Sequence, residues 1–174
     1  MMRLFVAVRP PPAVRDALLA IMGGVAAARW QADDQLHMTL RFIGEVDRHL
    51  ARDIAASLAE VHHPPIAATL GRRGSFATRG RPHALWIGVE PAAALTTLHH
   101  KVDQALRRAG VPADTRAFVP HVTLARIGRD AGPIDAFIAS RPAAAPFPID
   151  GFTLFESHLT RAAAVYTPVA DYRL

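Results

Sequence analysis

Two copies of one short motif carry the residues best suited to chemistry. HMTL, beginning at His37, and HVTL, beginning at His121, differ only at one apolar position. Histidine has an ordinary pKa of about 6.5, so it can accept or release a proton near neutral pH. Displacement at phosphorus needs both steps, because a base takes a proton from the attacking water and an acid protonates the leaving oxygen. Thr39 and Thr123 can donate hydrogen bonds to the non-bridging oxygens, where negative charge develops.

Both motifs are predicted to lie on β-strands, over 36–43 and 119–127. Side chains alternate along a strand, so each histidine shares a face with the threonine two residues later. The opposite face carries Leu36, Met38 and Leu40 in the first strand, and Val122 and Leu124 in the second. Each strand thus presents a polar pair on one side and core-forming residues on the other. Because buried polar groups without partners cost about 1–3 kcal/mol each, the polar faces predict a wet cleft or a ligand.

The elements around the motifs repeat in the same order. Strands are predicted at 4–8, 36–43, 66–70, 84–89, 119–127, 149–159 and 163–169, and helices at 13–28, 48–62, 92–109 and 133–139. A strand and a long helix precede each motif, which indicates an internal duplication with two related lobes sharing one cleft. Gly71 to Pro82 contains four arginines and is predicted to be a mobile basic loop, and Thr160 to Ala162 a hairpin turn.

Composition bounds the class of protein. The chain has 174 residues, 51% of them hydrophobic, which predicts one domain over 1–174. It has no cysteine, which excludes thiol nucleophiles and cysteine-ligated metals, and no apolar run long enough for a membrane span. The cytoplasm is the expected compartment. The net charge is +5, and a polyanionic partner or a coding bias toward arginine explains it equally well.

The two His-x-Thr motifs and the segments around them resemble the two-histidine (2H) phosphoesterase superfamily, which is defined by paired His-x-Thr motifs. Within it, the chain is similar to the bacterial and archaeal RNA 2′,3′-cyclic phosphodiesterases, once described as 2′-5′ RNA ligases. The matching segments are MRLFVAV, HMTLRFIGE, RPHALWIGV, FVPHVTLAR and FTLFESHL followed by AAVYTPV, in the family's order. The resemblance implies an α+β fold of two pseudo-twofold-related lobes, with mostly antiparallel sheets lining a central cleft and helices outside.

The resemblance also implies a reaction. A 2′,3′-cyclic phosphate end of RNA is hydrolysed to a 2′-phosphomonoester, with weak 2′-5′ ligation in reverse. It implies His37 as proton donor and His121 as proton acceptor, although spacing alone leaves the two roles interchangeable. The family places a substrate-binding arginine at Arg126, but strict alternation puts this residue on the wrong face unless the strand bulges near Ala125. Arg41, four residues after His37, shares its face and is the alternative.

Several interpretations stay open. Phe118, beside the second motif, is a candidate stacking platform for a base. His62-His63 and His99-His100 make poor metal sites, because neighbouring side chains on a helix diverge and no carboxylate cluster accompanies them. No metal, cofactor, membrane or protein partner is expected, and the chain is expected to be monomeric. The alternatives are a 2H enzyme acting on 2′-5′ oligonucleotides or on a cyclic phosphate of a nucleotide sugar, and a non-catalytic RNA-binding module.

Overall fold

A computed structural model describes residues 1–140, 145–160 and 164–174 of the chain. Within these residues the strands are β1 (Met2–Val8), β2 (Arg29–Trp30), β3 (Met38–Val46), β4 (Ile66–Thr78), β5 (Arg81–Glu90), β6 (His121–Arg126), β7 (Phe147–Ile149), β8 (Gly151–Leu159) and β9 (Ala164–Arg173). The helices are α1 (Pro12–Ala20), α2 (Arg48–Leu58), α3 (Ala92–Arg108) and α4 (Asp135–Ala139). None of the helices in the described part has the length and apolar character needed to span a membrane.

The strands form one open antiparallel sheet in the order β7-β4-β5-β6-β3-β1-β8-β9, with β2 beside β6. The strands that carry the two motifs, β3 and β6, are central neighbours. β3 also pairs with β1, and the chain passes from β1 through α1 to β3. In the same way, β6 pairs with β5, and the chain passes from β5 through α3 to β6. The predicted α+β fold with a mostly antiparallel sheet is confirmed, and a strand–helix–strand unit recurs in its two halves.

The two faces of the sheet have different roles. On β1, Leu4 and Val6 are fully buried in the main hydrophobic cluster, which contains buried residues of α1, α2, α3 and both motif strands. Phe5 and Ala7 point the other way and form a small separate cluster with Phe155. One face therefore packs under the helices, and the opposite face is left for the polar side chains of the motifs.

Local signals explain where the helices begin and end. The Asp47 carboxylate accepts a hydrogen bond from the Leu50 amide at 2.8 Å and caps α2. Gly110 follows α3 with a φ of +98°, the left-handed conformation that ends a helix and suits glycine. α1 ends at Ala20, well before the predicted residue 28, because Gly23 and Gly24 follow with positive φ.

The predicted mobile loop over Gly71 to Pro82 is wrong. β4 continues to Thr78, and Arg79 and Gly80 make a tight turn, both with positive φ, into β5. The glycines in this segment have a packing role, since a Cβ added to Gly74 would lie 2.4 Å from the indole of Trp86. Residues 161–162 of the predicted hairpin turn lie outside the described residues, but β8 and β9 are paired on either side of it.

Candidate active site

The two motifs face each other across the centre of the sheet. Met38 of β3 is paired with Val122 of β6. In an antiparallel pair this register sets Thr39 opposite His121 and His37 opposite Thr123. The two histidines are then diagonal neighbours on one face, a relation that separates residues by about 7–8 Å, with their Cβ atoms somewhat closer. That spacing leaves room for one tetrahedral phosphate between the two rings.

Both imidazoles are held in the same way. The Nδ1 atom of His37 lies 2.7 Å from the Gln35 carbonyl oxygen, and that of His121 lies 2.6 Å from the Val119 carbonyl oxygen. A carbonyl only accepts, so each neutral ring must carry its hydrogen on Nδ1 and leave the Nε2 lone pair free. Each motif therefore positions one Nε2 atom that can take or give a proton.

Burial is the main cause of low histidine pKa values here. The pKa of His37 is lowered to about 4, mainly by desolvation and in part by the nearby charges of His121 and Arg126, while the Gln35 carbonyl opposes the change. Desolvation also lowers the pKa of His121, again with a contribution from Arg126. Both rings are consequently neutral at pH 7 in the free protein. The shared influence of Arg126 also shows that its guanidinium lies near both imidazoles.

A β-bulge brings Arg126 to this face. In the β5–β6 ladder Leu85 pairs with Ala125 and Trp86 pairs with Thr123, so Leu124 is an extra residue on β6. Leu124 and Ala125 are both fully buried, whereas Arg126 is exposed. The extra residue shifts the alternation by one and returns Arg126 to the histidine face, the condition on which its assignment depends.

A matching bulge turns Arg41 away. In the β1–β3 ladder Val6 pairs with Arg41 and Ala7 pairs with Thr39, so Leu40 is the extra residue. Arg41 therefore corresponds to Ala125 of the other motif and is only 6% exposed. The residue that corresponds to Arg126 is Phe42, which is 37% exposed.

The contacts of Arg41 are structural, and its prediction as a phosphate ligand is corrected. Its Nε donates to the Asp103 carboxylate at 2.7 Å, and its terminal nitrogens donate to the carbonyls of Phe42 and Pro112. The Asp114 carboxylate is 3.7 Å from the same guanidinium. Arg41 thus ties β3 to α3 and to the loop that leads to Val119.

Aromatic rings surround each imidazole. Phe5 and Tyr166 lie 5.1 and 5.0 Å from the His37 ring, measured between centroids, while Phe76 and Trp86 lie 4.8 and 6.1 Å from the His121 ring. These rings desolvate the histidines. The sequence analysis did not identify Phe5 or Phe76. Alternation along β1 could have placed Phe5 opposite the core face, but Phe76 lay in a segment predicted to be a loop.

Phe118 lies at one end of the site. Its ring stacks on His99 with centroids 4.2 Å apart and an interplanar angle of 3°. His99 is buried, and its Nδ1 lies 2.7 Å from the Leu40 carbonyl oxygen. Phe118 also lines a cavity of about 250 Å³ together with Thr39 and His121. The structure therefore places a fixed aromatic ring next to the predicted catalytic groups.

The structure brings five of the predicted site residues to one region of the sheet: His37, Thr39, His121, Thr123 and Arg126. The remaining histidines do not extend this group. In the ranges that the structure describes, no three histidine, aspartate or glutamate side chains come together in a way that could hold a metal ion. The arrangement offers two Nε2 atoms, two threonines and one guanidinium to a ligand.

Comparisons with known proteins point to one family. A model of the 2′-5′ RNA ligase superfamily matches residues 9–161. The RNA 2′,3′-cyclic phosphodiesterase of Archaeoglobus fulgidus is 32% identical over 171 residues, which cover 95% of this chain and 96% of that protein. That of Escherichia coli is 29% identical and covers 99% and 96%. The crystal structure of E. coli LigT with 3′-AMP has a TM-score of 0.81 at 27% identity, covering 99% of this chain and 97% of the other.

Proposed function

Because this chain belongs to the 2′-5′ RNA ligase superfamily, we propose that it hydrolyses 2′,3′-cyclic phosphate ends of RNA to 2′-phosphomonoesters. Its relatives in A. fulgidus and E. coli carry the name of this activity. The observation that carries the proposal is the matched anchoring of His37 and His121, each with Nδ1 on a carbonyl two residues earlier. Two free Nε2 atoms on one face are what an acid–base pair at a phosphate requires.

The proposed reaction divides the proton transfers between the two rings. His121 takes a proton from water through Nε2 as the water oxygen forms a bond to phosphorus. The bond from phosphorus to the 3′ oxygen breaks, and His37 gives its proton to that oxygen. Thr39 and Thr123 donate to the non-bridging oxygens, and the guanidinium of Arg126 stabilises the charge that develops there.

The negative charge of the substrate raises the pKa of His37 so that the ring can be protonated. With a pKa of about 4 in the free protein, His37 is neutral at pH 7 and cannot act as an acid. A bound phosphodiester places a negative charge beside the ring and raises the pKa of the imidazole. Binding and protonation of His37 are therefore coupled in this assignment.

We propose that neither a metal nor another cofactor takes part, since the two imidazoles, two threonines and Arg126 provide every proton transfer and charge contact. Phe118, supported by His99, stacks on the base of the terminal nucleotide. The same residues act in reverse to join RNA ends weakly through a 2′-5′ bond. The enzyme is proposed to act as a monomer in the cytoplasm.

A product assay tests this proposal. Purified protein is incubated in EDTA with 2′,3′-cyclic nucleotides, an oligoribonucleotide ending in a 2′,3′-cyclic phosphate, and 2′-5′ oligoadenylate. We expect the 2′-phosphate product from both cyclic phosphates, with activity unaffected by EDTA. Replacing His37 or His121 with alanine should lower kcat by at least about 10²-fold.

The other outcomes identify the competing functions. Turnover of 2′-5′ oligoadenylate alone would assign a different substrate. Binding of RNA without turnover of any phosphodiester would make the protein an RNA-binding module. A 3′-phosphate product would mean that the 2′ oxygen leaves, and loss of activity in EDTA would contradict the metal-independent mechanism.

A further inference from the structure

A second, larger cavity opens at the far end of β6 from Phe118. Its volume is about 1090 Å³, and it lies between the β4–β5 turn and the chain that follows β6. Its charged and polar lining residues are Thr78, Arg79, Arg81, His83, Arg129 and Asp135. Three arginines therefore face one carboxylate, which gives the cavity an excess of positive charge. We refer to these six residues as the basic groove.

The arginines of the basic groove are exposed and have no ion-pair partner among the described residues. In the same described part of the chain, Arg9, Arg15, Arg41 and Arg116 each lie within 4.0 Å of an aspartate carboxylate. The basic groove thus keeps three cations available for an external anion. Among the described residues, no phenylalanine, tyrosine or tryptophan lines it, so it suits phosphate groups better than stacked bases.

The basic groove continues from the candidate active site. Thr78 shares a face of β4 with Phe76, two residues earlier, and pairs with Arg81 across the turn. Phe76 lies against the His121 ring, so Arg81 lies on the catalytic face of the sheet. At the other side of the groove, Arg129 is three residues after Arg126, a separation of at most about 11 Å along the chain.

We infer that the basic groove binds backbone phosphates of the RNA on the 5′ side of the cyclic end. This inference rests on the proposed function, because the cyclic phosphate fixes one end of the RNA between the two histidines. Phosphate contacts position a strand without reading its sequence, so the groove favours oligonucleotides over mononucleotides and has no base preference. The enzyme is then built for RNA ends more than for free cyclic nucleotides.

The experiment compares two substrates and two matched triple variants. Arg79, Arg81 and Arg129 are replaced together with glutamine, and the control replaces Arg48, Arg52 and Arg107, which are exposed residues of α2 and α3. The kcat/KM is measured for a 2′,3′-cyclic nucleotide and for a six-residue oligoribonucleotide with a 2′,3′-cyclic end, at about 50 and about 200 mM salt. Circular dichroism shows whether each variant is folded.

Each phosphate contact to a single strand should lower affinity about 2.6-fold between these two salt concentrations. We expect the oligonucleotide to be the better substrate of the wild-type protein and to be more sensitive to salt. The groove variant should lower the ratio of oligonucleotide to mononucleotide kcat/KM by about tenfold and reduce the salt slope by about 0.7 for each arginine. The control variant should keep the wild-type ratio.

An equal loss with both substrates, or an equal loss in the control variant, would overturn the inference and leave only a general effect of charge. A wild-type protein with no preference for the oligonucleotide would overturn it too. The absence of turnover on any cyclic phosphate is a distinct result, since it would contradict the proposed function itself. If the triple variant does not fold, the single substitution Arg129→Gln tests the same ratio.

Discussion

At the scale of single residues, two nearly identical motifs produce histidines with different surroundings. Both rings are held through Nδ1 by a carbonyl two residues earlier, but the pKa of His37 falls to about 4. The pKa of His121 is also lowered, again chiefly by burial. The proposed reaction needs one neutral and one protonated ring. The division of roles therefore depends on how the negative charge of the substrate raises these two pKa values.

The lowered pKa values predict how activity depends on pH. The pH profile of kcat/KM reports ionisations of the free enzyme, and that of kcat reports those of the enzyme–substrate complex. Because both free histidines have pKa values below 6.5, protonated acid is lost as pH rises. Above about pH 6.5, kcat/KM should fall about tenfold per unit. The kcat should decline only at higher pH, since the bound phosphate raises the pKa of the acid. A kcat/KM that stays level from pH 6.5 to 8 would contradict this account.

At the scale of secondary-structure elements, the two bulges separate what the sequence could predict from what it could not. Alternation correctly places each histidine with the threonine two residues later, because these positions precede the bulge. Alternation predicts the wrong face for Arg41 and does not settle the face of Arg126. The reason is that Leu40 and Leu124 are bulge residues, which can be recognised only from the pairing with the neighbouring strands. A bulge depends on long-range pairing of β1 with β3 and of β5 with β6, which no local pattern contains.

The β4–β5 hairpin also shows that local sequence does not predict contacts between strands. The three glycines and Pro82 in the segment from Gly71 to Pro82 predict a loop there. The structure instead uses Gly74 to admit the indole of Trp86, which lies against His121. The start of β4, most of β5 and both motifs could be predicted from local sequence. The packing of Trp86 against Gly74 could not be predicted, since these residues lie on different strands.

The contacts of Arg41 predict a loss of stability and of activity. Replacing Arg41 with alanine leaves the carboxylate of Asp103, whose side chain is 16% exposed, without its partner at 2.7 Å. Breaking a buried ion pair costs about 3–5 kcal/mol, and we expect about 3 kcal/mol because Asp103 is partly solvated. The loop that leads to Val119 also loses its attachment, so kcat should fall as the support of His121 weakens. Urea unfolding and steady-state kinetics measure the two effects.

Arg116 supplies the control for this prediction. It pairs with Asp114 at 2.9 Å, the same carboxylate that lies near Arg41, but its side chain is 72% exposed. Exposed ion pairs contribute little, so Arg116→Gln should change stability by less than about 0.5 kcal/mol. If both substitutions destabilise the protein equally, the buried position of Arg41 is not what gives it its importance.

At the scale of the whole molecule, the site lies where the two halves of the sheet meet. Among the described residues, Met38 and Val122 are the only residue pair that joins β3 to β6 in the ladder. The outer strands of each half are paired over many more residues, as in β8 with β9. The halves share one hydrophobic cluster beneath the helices, so they are joined by the core on one face. A phosphate between His37 and His121 would connect them on the other.

This arrangement predicts that a product-like ligand stabilises the fold through both halves. A nucleoside 2′-phosphate at about 100 times its Kd should add about 2.7 kcal/mol of stability. For a chain of this size that corresponds to a rise in Tm of about 5–10 °C in a thermal scan. Either His37→Ala or His121→Ala should remove most of the rise, because each half contributes a histidine and a threonine to the same phosphate. An undiminished rise in one of the two variants would mean that the ligand binds to a single half. The central register of the sheet would then not be what forms the site.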